Sequence, residues 1–153
     1  MCGTTPTMSD TSPIKTLISI CYSPDRRTSD AEIVASPSWN AIREAISRMD
    51  DDGFPIVVLS TQECTSTDEA FEDDDSLHLI GGNERFALFQ CSGPWRYRNP
   101  KGSDAEVRLW QSDQGYFCTE ANLANLDLAL HIAKAFYETA NFDVAESVSQ
   151  EST

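Results

Sequence analysis

The chain has 153 residues, of which 40% are apolar, and a formal net charge of −14 at pH 7. This length suits a single globular domain, and no apolar run approaches the ~18 residues that a membrane-spanning helix needs. The negative charge disfavours binding to nucleic acid and to anionic membrane surfaces, and it favours a basic protein partner.

The two ends of the chain have the composition of tails. Residues 1–13 are rich in Thr, Ser and Pro, and they lack the basic and apolar regions of a secretory signal. We therefore predict a disordered N-terminal tail over residues 1–13, a single domain over residues 14–148 and a frayed C-terminus over residues 149–153. The five cysteines include no C-x-x-C pair, which favours free thiols in a reducing compartment over a disulfide framework. Together these features predict a cytoplasmic protein.

The first half of the chain has both strand and helix patterns. Residues 15–22 are rich in strand formers, whereas residues 23–36 lack periodicity and are predicted to be mostly loop. Behind Ser36 and Pro37, apolar residues recur at spacings of three and four, which predicts an amphipathic helix. These apolar residues are Trp39, Ile42, Ile46 and Met49. An unbroken apolar run predicts a strand, buried on both faces, over residues 54–61.

The best-defined local signal is a β-hairpin over residues 76–91. Two apolar runs, residues 77–80 and 86–89, flank Gly81-Gly82-Asn83, and these three residues tolerate the positive φ of tight turns. Both faces of the second arm are apolar, so we predict a central strand that is covered on both sides. Because the pattern of a phosphate-binding loop is absent, the two glycines are predicted to be turn residues.

The second half of the chain predicts further strands and one long helix. Short strand patterns cover residues 95–98, 105–111 and 116–118, and an amphipathic helix runs from about residue 123 or residue 126 to residue 140. Residues 142–148 are predicted to form a closing edge strand. Consecutive strands joined by tight turns imply an α+β fold, a mostly antiparallel sheet of about six to eight strands with two amphipathic helices packed on it.

Residues 62–75, termed here the acidic segment, lack apolar periodicity and are predicted to be a long loop. Their candidate partner-binding carboxylates are Asp68, Glu69, Glu72, Asp73, Asp74 and Asp75. The segment has three interpretations: a solvated loop, a cation site, or a contact for a basic protein. The residue order of an EF-hand is absent, so no metal site is predicted. Clustered carboxylates steer the encounter with a basic partner and form charge-assisted bonds with Arg and Lys, and we favour this interpretation.

A second candidate cluster consists of Trp95, Tyr97 and Trp110, which are interleaved with arginines. Its three interpretations are stacking within the sheet, an anchor in a protein interface, and binding of single-stranded nucleic acid. The net charge of the chain argues against nucleic acid. Alternation along residues 105–111 places Trp110 outward, which makes it the preferred interface anchor.

No catalytic pattern stands out in the sequence. Cys64 or Cys118 could act as a nucleophile with His78 or His131 as its base, but this pairing requires that the side chains be close in space. The G-x-S-x-G pattern of a serine nucleophile is absent. We therefore predict a protein without enzymatic activity and without a cofactor.

Several segments together resemble a known family. They are Trp39 on a helix that ends near Met49, the strand pattern LHLIGG, the segment VRLWQSDQGYF and the helix pattern LDLALHIAKAFYETANF. Over residues 36–148 this order is similar to the immunity-protein family numbered first in the bacterial polymorphic-toxin series. The chain departs from the family at Asn141 and Asp143, where Gly and Pro are common, and its acidic segment is longer than usual.

The resemblance implies a function. Members of that family are encoded beside a toxin and protect the producing cell by binding it, and they have no known catalytic activity. We therefore expect an immunity protein that neutralises a cognate toxin, in particular a basic nuclease-type domain, by occluding its active site or an adjacent exosite. The alternative is an acidic adaptor for a basic segment of a housekeeping partner, and a small hydrolase that uses Cys118 or His131 is a more distant third hypothesis. Nucleic acid and membranes are not expected as partners, and the oligomeric state is left open.

Overall fold

The computed structural model of the protein describes residues 12–110 and 115–151, and it confirms an α+β fold. Within these ranges the strands are β1 (Thr16–Tyr22), β2 (Ser29–Ala35), β3 (Ile56–Ser60), β4 (Leu77–Gly82), β5 (Arg85–Gln90), β6 (Glu106–Leu109), β7 (Tyr116–Thr119) and β8 (Leu123–Ala124). The α-helices are α1 (Trp39–Ser47), α2 (Thr67–Phe71), α3 (Leu126–Thr139) and α4 (Phe142–Glu151). Residues 1–11 of the tail predicted over residues 1–13, residues 111–114 and residues 152–153 lie outside the described ranges.

Six strands form the main sheet in the order β2-β1-β3-β4-β5-β8, and every neighbouring pair is antiparallel. In the described part of the chain, β6 and β7 pair with each other in a separate two-stranded ribbon. The predicted strand at residues 95–98 is reduced to one bridge, between Phe89 and Arg96. Pro94 and Pro100 lie on either side of this segment and lack the N–H groups that would extend its pairing.

The hairpin of β4 and β5 lies inside the main sheet and is covered on both sides, as predicted. On one face, here called the helix face, Leu79 and Leu88 belong to a core shared with α1, α3 and α4. On the other face, here called the ribbon face, Ile80 and Ala87 belong to a core shared with α2 and the β6–β7 ribbon. The sheet therefore has one apolar core on each side.

The turn of this hairpin lies further along the chain than predicted. Gly81 and Gly82 belong to β4, and the turn residues are Asn83 and Glu84, with φ angles of 55° and 69°. Gly82 (φ 145°) instead forms a bridge with Asp50. A Cβ atom at Gly82 would lie 2.5 Å from the Asp50 nitrogen, so this glycine is required by a close approach of two backbones.

Two further segments differ from the predictions. Residues 29–35, predicted to be loop, form the edge strand β2, which pairs with β1 along its whole length. Residues 142–148, predicted to be an edge strand, belong to α4, because Phe142, Ala145 and Ser149 recur at helical spacing. The Phe142 ring lies 4.7 Å from the Phe136 ring of α3, and Ala145 and Ser149 are fully buried. Residues 149–151 are therefore helical rather than frayed.

The two predicted amphipathic helices are α1 and α3, and α4 is a third helix on the same face. Ser38 caps α1 by accepting a hydrogen bond from the Ala41 N–H (3.1 Å). Asn125 caps α3 in the same way, with the Leu128 N–H as donor (2.9 Å). None of the helices in the described ranges is long and apolar enough to cross a membrane.

Candidate functional site

The acidic segment packs on the ribbon face and is anchored to the main sheet. The hydroxyl of Thr16 in β1 accepts a hydrogen bond from the Cys64 N–H (3.0 Å) and donates one to the Gln62 carbonyl (2.7 Å). Ala70, in the middle of α2, is fully buried. The predicted loop is therefore an ordered segment that includes a short helix.

Reciprocal hydrogen bonds begin helix α2. The Ser66 hydroxyl accepts from the Glu69 N–H (3.3 Å), and the Glu69 carboxylate accepts from the Thr65 N–H (2.8 Å) and the Thr65 hydroxyl (2.6 Å). The pKa of Glu69 is lowered by these hydrogen bonds, and the bond from the Thr65 hydroxyl has the largest effect. Glu69 thus holds the start of the helix as an ionised carboxylate.

Asp73 is buried, with 2% of its surface exposed, and binds its own chain. Its Oδ2 accepts hydrogen bonds from the Ser60 hydroxyl (2.8 Å), the Thr61 N–H (2.9 Å) and the Thr61 hydroxyl (2.9 Å). Its Oδ1 accepts from the Asp75 N–H (3.1 Å). The prediction that Asp73 contacts a partner is corrected, because its carboxylate faces inward and joins the acidic segment to the end of β3.

The other five candidate carboxylates are exposed: Asp68, Glu69, Glu72, Asp74 and Asp75. Asp75 also accepts a hydrogen bond from the Gln90 side chain (3.1 Å). The acidic segment takes part in none of the ion pairs formed within the described ranges, which are Arg26–Asp52, Arg48–Glu32 and Arg98–Asp104. Because the segment itself contains no Lys or Arg, it presents an array of carboxylates without an internal counter-charge.

A row of four rings connects the acidic segment to the β6–β7 ribbon. The ring centroids of Phe71 and His78 are 5.4 Å apart, those of His78 and Phe89 are 5.4 Å apart, and those of Phe89 and Tyr116 are 5.1 Å apart. His78 is 8% exposed. Burial lowers the pKa of His78 to about 4, against the opposing attraction of the Asp73 charge. His78 is therefore neutral in the folded protein at neutral pH.

The depressed pKa of His78 predicts a loss of stability in mild acid. As the pH falls, the unfolded chain binds a proton near the ordinary pKa of 6.5, whereas the folded chain binds it only near 4. The contribution of His78 is thus complete above pH 6.5 and is lost as the pH falls towards 4, to a total of about 3 kcal/mol. Urea unfolding across this range should show the loss, and His78→Phe should flatten it.

His131→Gln is the control for this experiment, since His131 is exposed on α3. This variant should keep the pH dependence of the parent chain. A His78→Phe variant with an unchanged pH dependence would show that another group causes the acid sensitivity.

Trp95 and Tyr97 pack at the helix face, where α4 lies. The Trp95 indole N–H donates to the Glu146 carboxylate (3.0 Å), and the Trp95 ring lies 5.4 Å from the Phe142 ring. Tyr97 is 1% exposed, and burial, followed by the Glu146 charge, raises the pKa of its hydroxyl. The prediction that Tyr97 contacts a partner is corrected, because its ring belongs to the core, whereas Trp95 is half-buried.

Trp110 lies in different surroundings, beside the β1–β2 connection. Its ring centroid is 4.4 Å from that of Tyr22, edge to face, and 4.5 Å from the Arg26 guanidinium. The backbone N–H of Trp110 donates to the Asp51 carboxylate (2.8 Å). Burial raises the pKa of this carboxylate despite the bond. Trp110 is half-buried. The contacts of Trp95, Tyr97 and Trp110 thus place them in two separate environments, not in one aromatic cluster.

Of the cysteine and histidine pairs considered for a hydrolase, Cys118 and His131 are not brought together. Cys118 belongs to the core of the ribbon face, where burial raises the pKa of its thiol. His131 is exposed on α3, which packs on the opposite face of the sheet. In the described ranges, no group of three or more His, Cys, Asp and Glu side chains is arranged to hold a metal ion.

The open edge of the main sheet was not predicted. The edge strand β2 exposes two neighbouring apolar side chains, Ile33 (37%) and Val34 (39%). This element could have been predicted from the alternation of Asp30, Ala31, Glu32 and Ile33, which is a strand pattern. The pattern is weak because Ala, Asp and Glu are poor strand formers and no glycine marks the preceding turn.

The acidic segment and β2 lie next to each other on the ribbon face. Thr67 and Phe71 from the acidic segment line the same groove as Ala31 and Ile33 from β2. The candidate surface is therefore this groove together with the exposed carboxylates beside it. No protein-family model, no curated protein and no solved structure matches the chain.

Proposed function

We propose that the protein is an immunity protein that acts in the cytoplasm by binding a cognate bacterial toxin with a basic catalytic domain. The observation that carries this proposal is the acidic segment, whose exposed carboxylates stand on a backbone anchored by Asp73 and Thr16. The family resemblance of residues 36–148 supports the same function.

The anchoring of the acidic segment gives the proposal a physical mechanism. A surface that is already ordered loses little conformational entropy on binding, so more of the interaction free energy contributes to affinity. A toxin that acts on nucleic acid needs basic residues to hold phosphate groups. Carboxylates presented to those residues compete with the substrate, and they also accelerate the encounter between the two proteins.

Co-expression tests this function directly. The product of the neighbouring gene is expressed alone and together with this chain, and growth rescue and pull-down are measured. We expect the neighbour to be toxic alone, harmless in the presence of this chain, and captured by it. A harmless neighbour, or toxicity that persists beside this chain, would contradict the proposal, and capture of a harmless housekeeping protein would favour the adaptor function.

Neutralising exposed carboxylates of the acidic segment should slow association with the toxin. The triple change Asp68→Asn, Glu72→Gln and Asp74→Asn removes three exposed negative charges while Asp73 is kept. We expect the association rate at low salt to fall by about tenfold and its salt dependence to weaken. Stopped-flow or surface-based kinetics at several salt concentrations would measure both.

The matched control carries the same charge change on the opposite side of the molecule. Asp127→Asn, Glu138→Gln and Asp143→Asn alter exposed residues of α3 and α4. If both triple variants slow association equally, only the net charge matters and the acidic segment is not the contact.

A further inference from the structure

The outer edge of β2 is open. Among the described strands, β2 pairs with β1 alone. The Ser36 N–H donates to the Lys15 carbonyl (2.8 Å), so the main chain of Ser36 faces the segment that contains β1. In an antiparallel pair, residues that bond to the neighbouring strand alternate with residues whose N–H and C=O groups point away from it. Counting back from Ser36, the N–H and C=O groups of Ile33 and Ala35 therefore point away from β1.

Side chains of the same edge form one wall of a groove of about 600 Å³ on the ribbon face. Ala31 and Ile33 of β2 lie on this wall, Phe71 of α2 lines the groove from the acidic segment, and Ile20 and Ile56 line it from β1 and β3. Ile33 and Phe71 are 37% and 42% exposed. An apolar groove beside an open strand edge suits an extended peptide, which uses main-chain bonds for affinity and alternate side chains for specificity.

The surroundings of the groove are negatively charged. Asp30 lines it from β2, and the exposed Asp68 and Glu72 belong to α2 and its C-terminal end. Neither β2 nor the acidic segment contains Lys or Arg. A basic segment is therefore complementary to the groove. A second copy of this chain is not, since pairing two β2 strands would bring together two edges that each contain the Asp30 carboxylate and no Lys or Arg.

We infer that the open edge of β2 and the adjoining groove bind an extended, basic segment of a partner protein as an additional strand of the main sheet. Main-chain hydrogen bonds to Ile33 and Ala35 hold this segment in register. Its alternate apolar side chains pack in the groove beside Ile33 and Phe71, and Lys or Arg side chains on the same face, at either end of this apolar stretch, meet the surrounding carboxylates. The inference rests on the proposed function in one respect, which is that the segment belongs to the toxin.

The heptapeptide Lys-Thr-Val-Thr-Val-Thr-Lys, with both termini blocked, is the probe, because it places two Val and two Lys side chains on one face of an extended strand. We expect it to bind the full chain at low salt in a fluorescence anisotropy titration. Binding should slow amide hydrogen exchange at Ile33 and Ala35 by about tenfold or more, because these N–H groups gain acceptors. The amides of Glu32 and Val34, which face β1 in the register, should change much less. The same peptide with Glu in place of both Lys residues, and the same peptide with alternate N-methylated amides, should each bind about tenfold more weakly.

Ile33→Lys and Val34→Lys form a matched pair of variants. The two side chains are neighbours with 37% and 39% exposure, but Ile33 lines the groove and Val34 lies on the helix face. Ile33→Lys should weaken peptide binding by about tenfold, since it places a like charge in the groove. Val34→Lys should have little effect. Thermal unfolding establishes that both variants fold, and the exchange pattern of the parent chain tests the inference without any variant.

The inference is overturned if the peptide does not bind, if both variants weaken binding equally, or if exchange slows over the acidic segment and not at Ile33 and Ala35. Self-association through β2, measured by sedimentation, would also overturn it.

In the growth-rescue assay, Ile33→Lys should rescue less well than Val34→Lys. Equal rescue would overturn the docking site and leave the immunity function standing. Peptide binding without rescue by the parent chain would leave the groove standing and refute the immunity function.

Discussion

Replacing Asp73 with Ala is expected to lower the free energy of unfolding by about 3–5 kcal/mol. The Asp73 carboxylate accepts hydrogen bonds from Ser60, from both donors of Thr61 and from the Asp75 N–H. Alanine leaves these donors in a buried or half-buried site without this acceptor, and the cost of an unsatisfied buried group exceeds the net gain of an ordinary hydrogen bond. The acidic segment should also loosen, because these bonds connect it to β3.

Urea unfolding of Asp73→Ala, Asp73→Asn and Asp74→Ala would measure this effect. Asp73→Asn keeps the volume and one carbonyl oxygen, so it should cost less than Asp73→Ala. Asp74 is the exposed neighbour, and Asp74→Ala should change stability by no more than about 0.5 kcal/mol. Equal effects at both positions would mean that the bonds made by the Asp73 carboxylate do not stabilise the fold.

Gly82→Ala is the second substitution with a large expected effect, a loss of at least about 3 kcal/mol. Gly82 has a φ of 145°, which a residue with a Cβ atom rarely adopts. The added Cβ would lie 2.5 Å from the Asp50 nitrogen and 2.6 Å from the Asp51 nitrogen. Both atoms belong to the backbone, so the clash cannot be relieved by rotating a side chain. The bridge between Asp50 and Gly82 would have to open.

Gly53→Ala provides the matched control, since it makes the same chemical change close to the same loop. A Cβ atom at Gly53 would lie 3.8 Å from the Asp50 carboxylate, which is an ordinary contact. We expect Gly53→Ala to change the free energy of unfolding by no more than about 0.5 kcal/mol. A Gly82→Ala variant as stable as Gly53→Ala would show that the loop after α1 moves away without cost.

The elements that the sequence predicted correctly are those defined by local periodicity. The hairpin of β4 and β5 and the helices α1 and α3 have patterns that recur within a few residues, and these patterns require no knowledge of distant partners. The inward positions of Val107 and Leu109 follow from the same alternation, and both side chains are buried. The division of the strands into a main sheet and a ribbon was not predictable, because it depends on which strands pair across the fold.

The errors in the candidate site have a common physical cause. Asp73 and Asp74 are adjacent and chemically identical, yet only Asp73 meets the donors of Ser60 and Thr61, which are 13 and 12 residues earlier in the chain. Tyr97 is likewise buried by contacts with the core under the helices. A composition-based assignment treats all members of a charged or aromatic cluster alike, whereas burial separates them.

This separation has a consequence for how recognition can change in such a protein. Along residues 72–75, the carboxylate that maintains the fold points inward at Asp73, and its neighbours Glu72 and Asp74 point to solvent. Substitutions at the outward positions alter the charge offered to a partner without disturbing the bonds to Ser60 and Thr61. Stability and specificity are thus assigned to different residues of one short stretch, so the binding preference of the surface can diverge while its scaffold is retained.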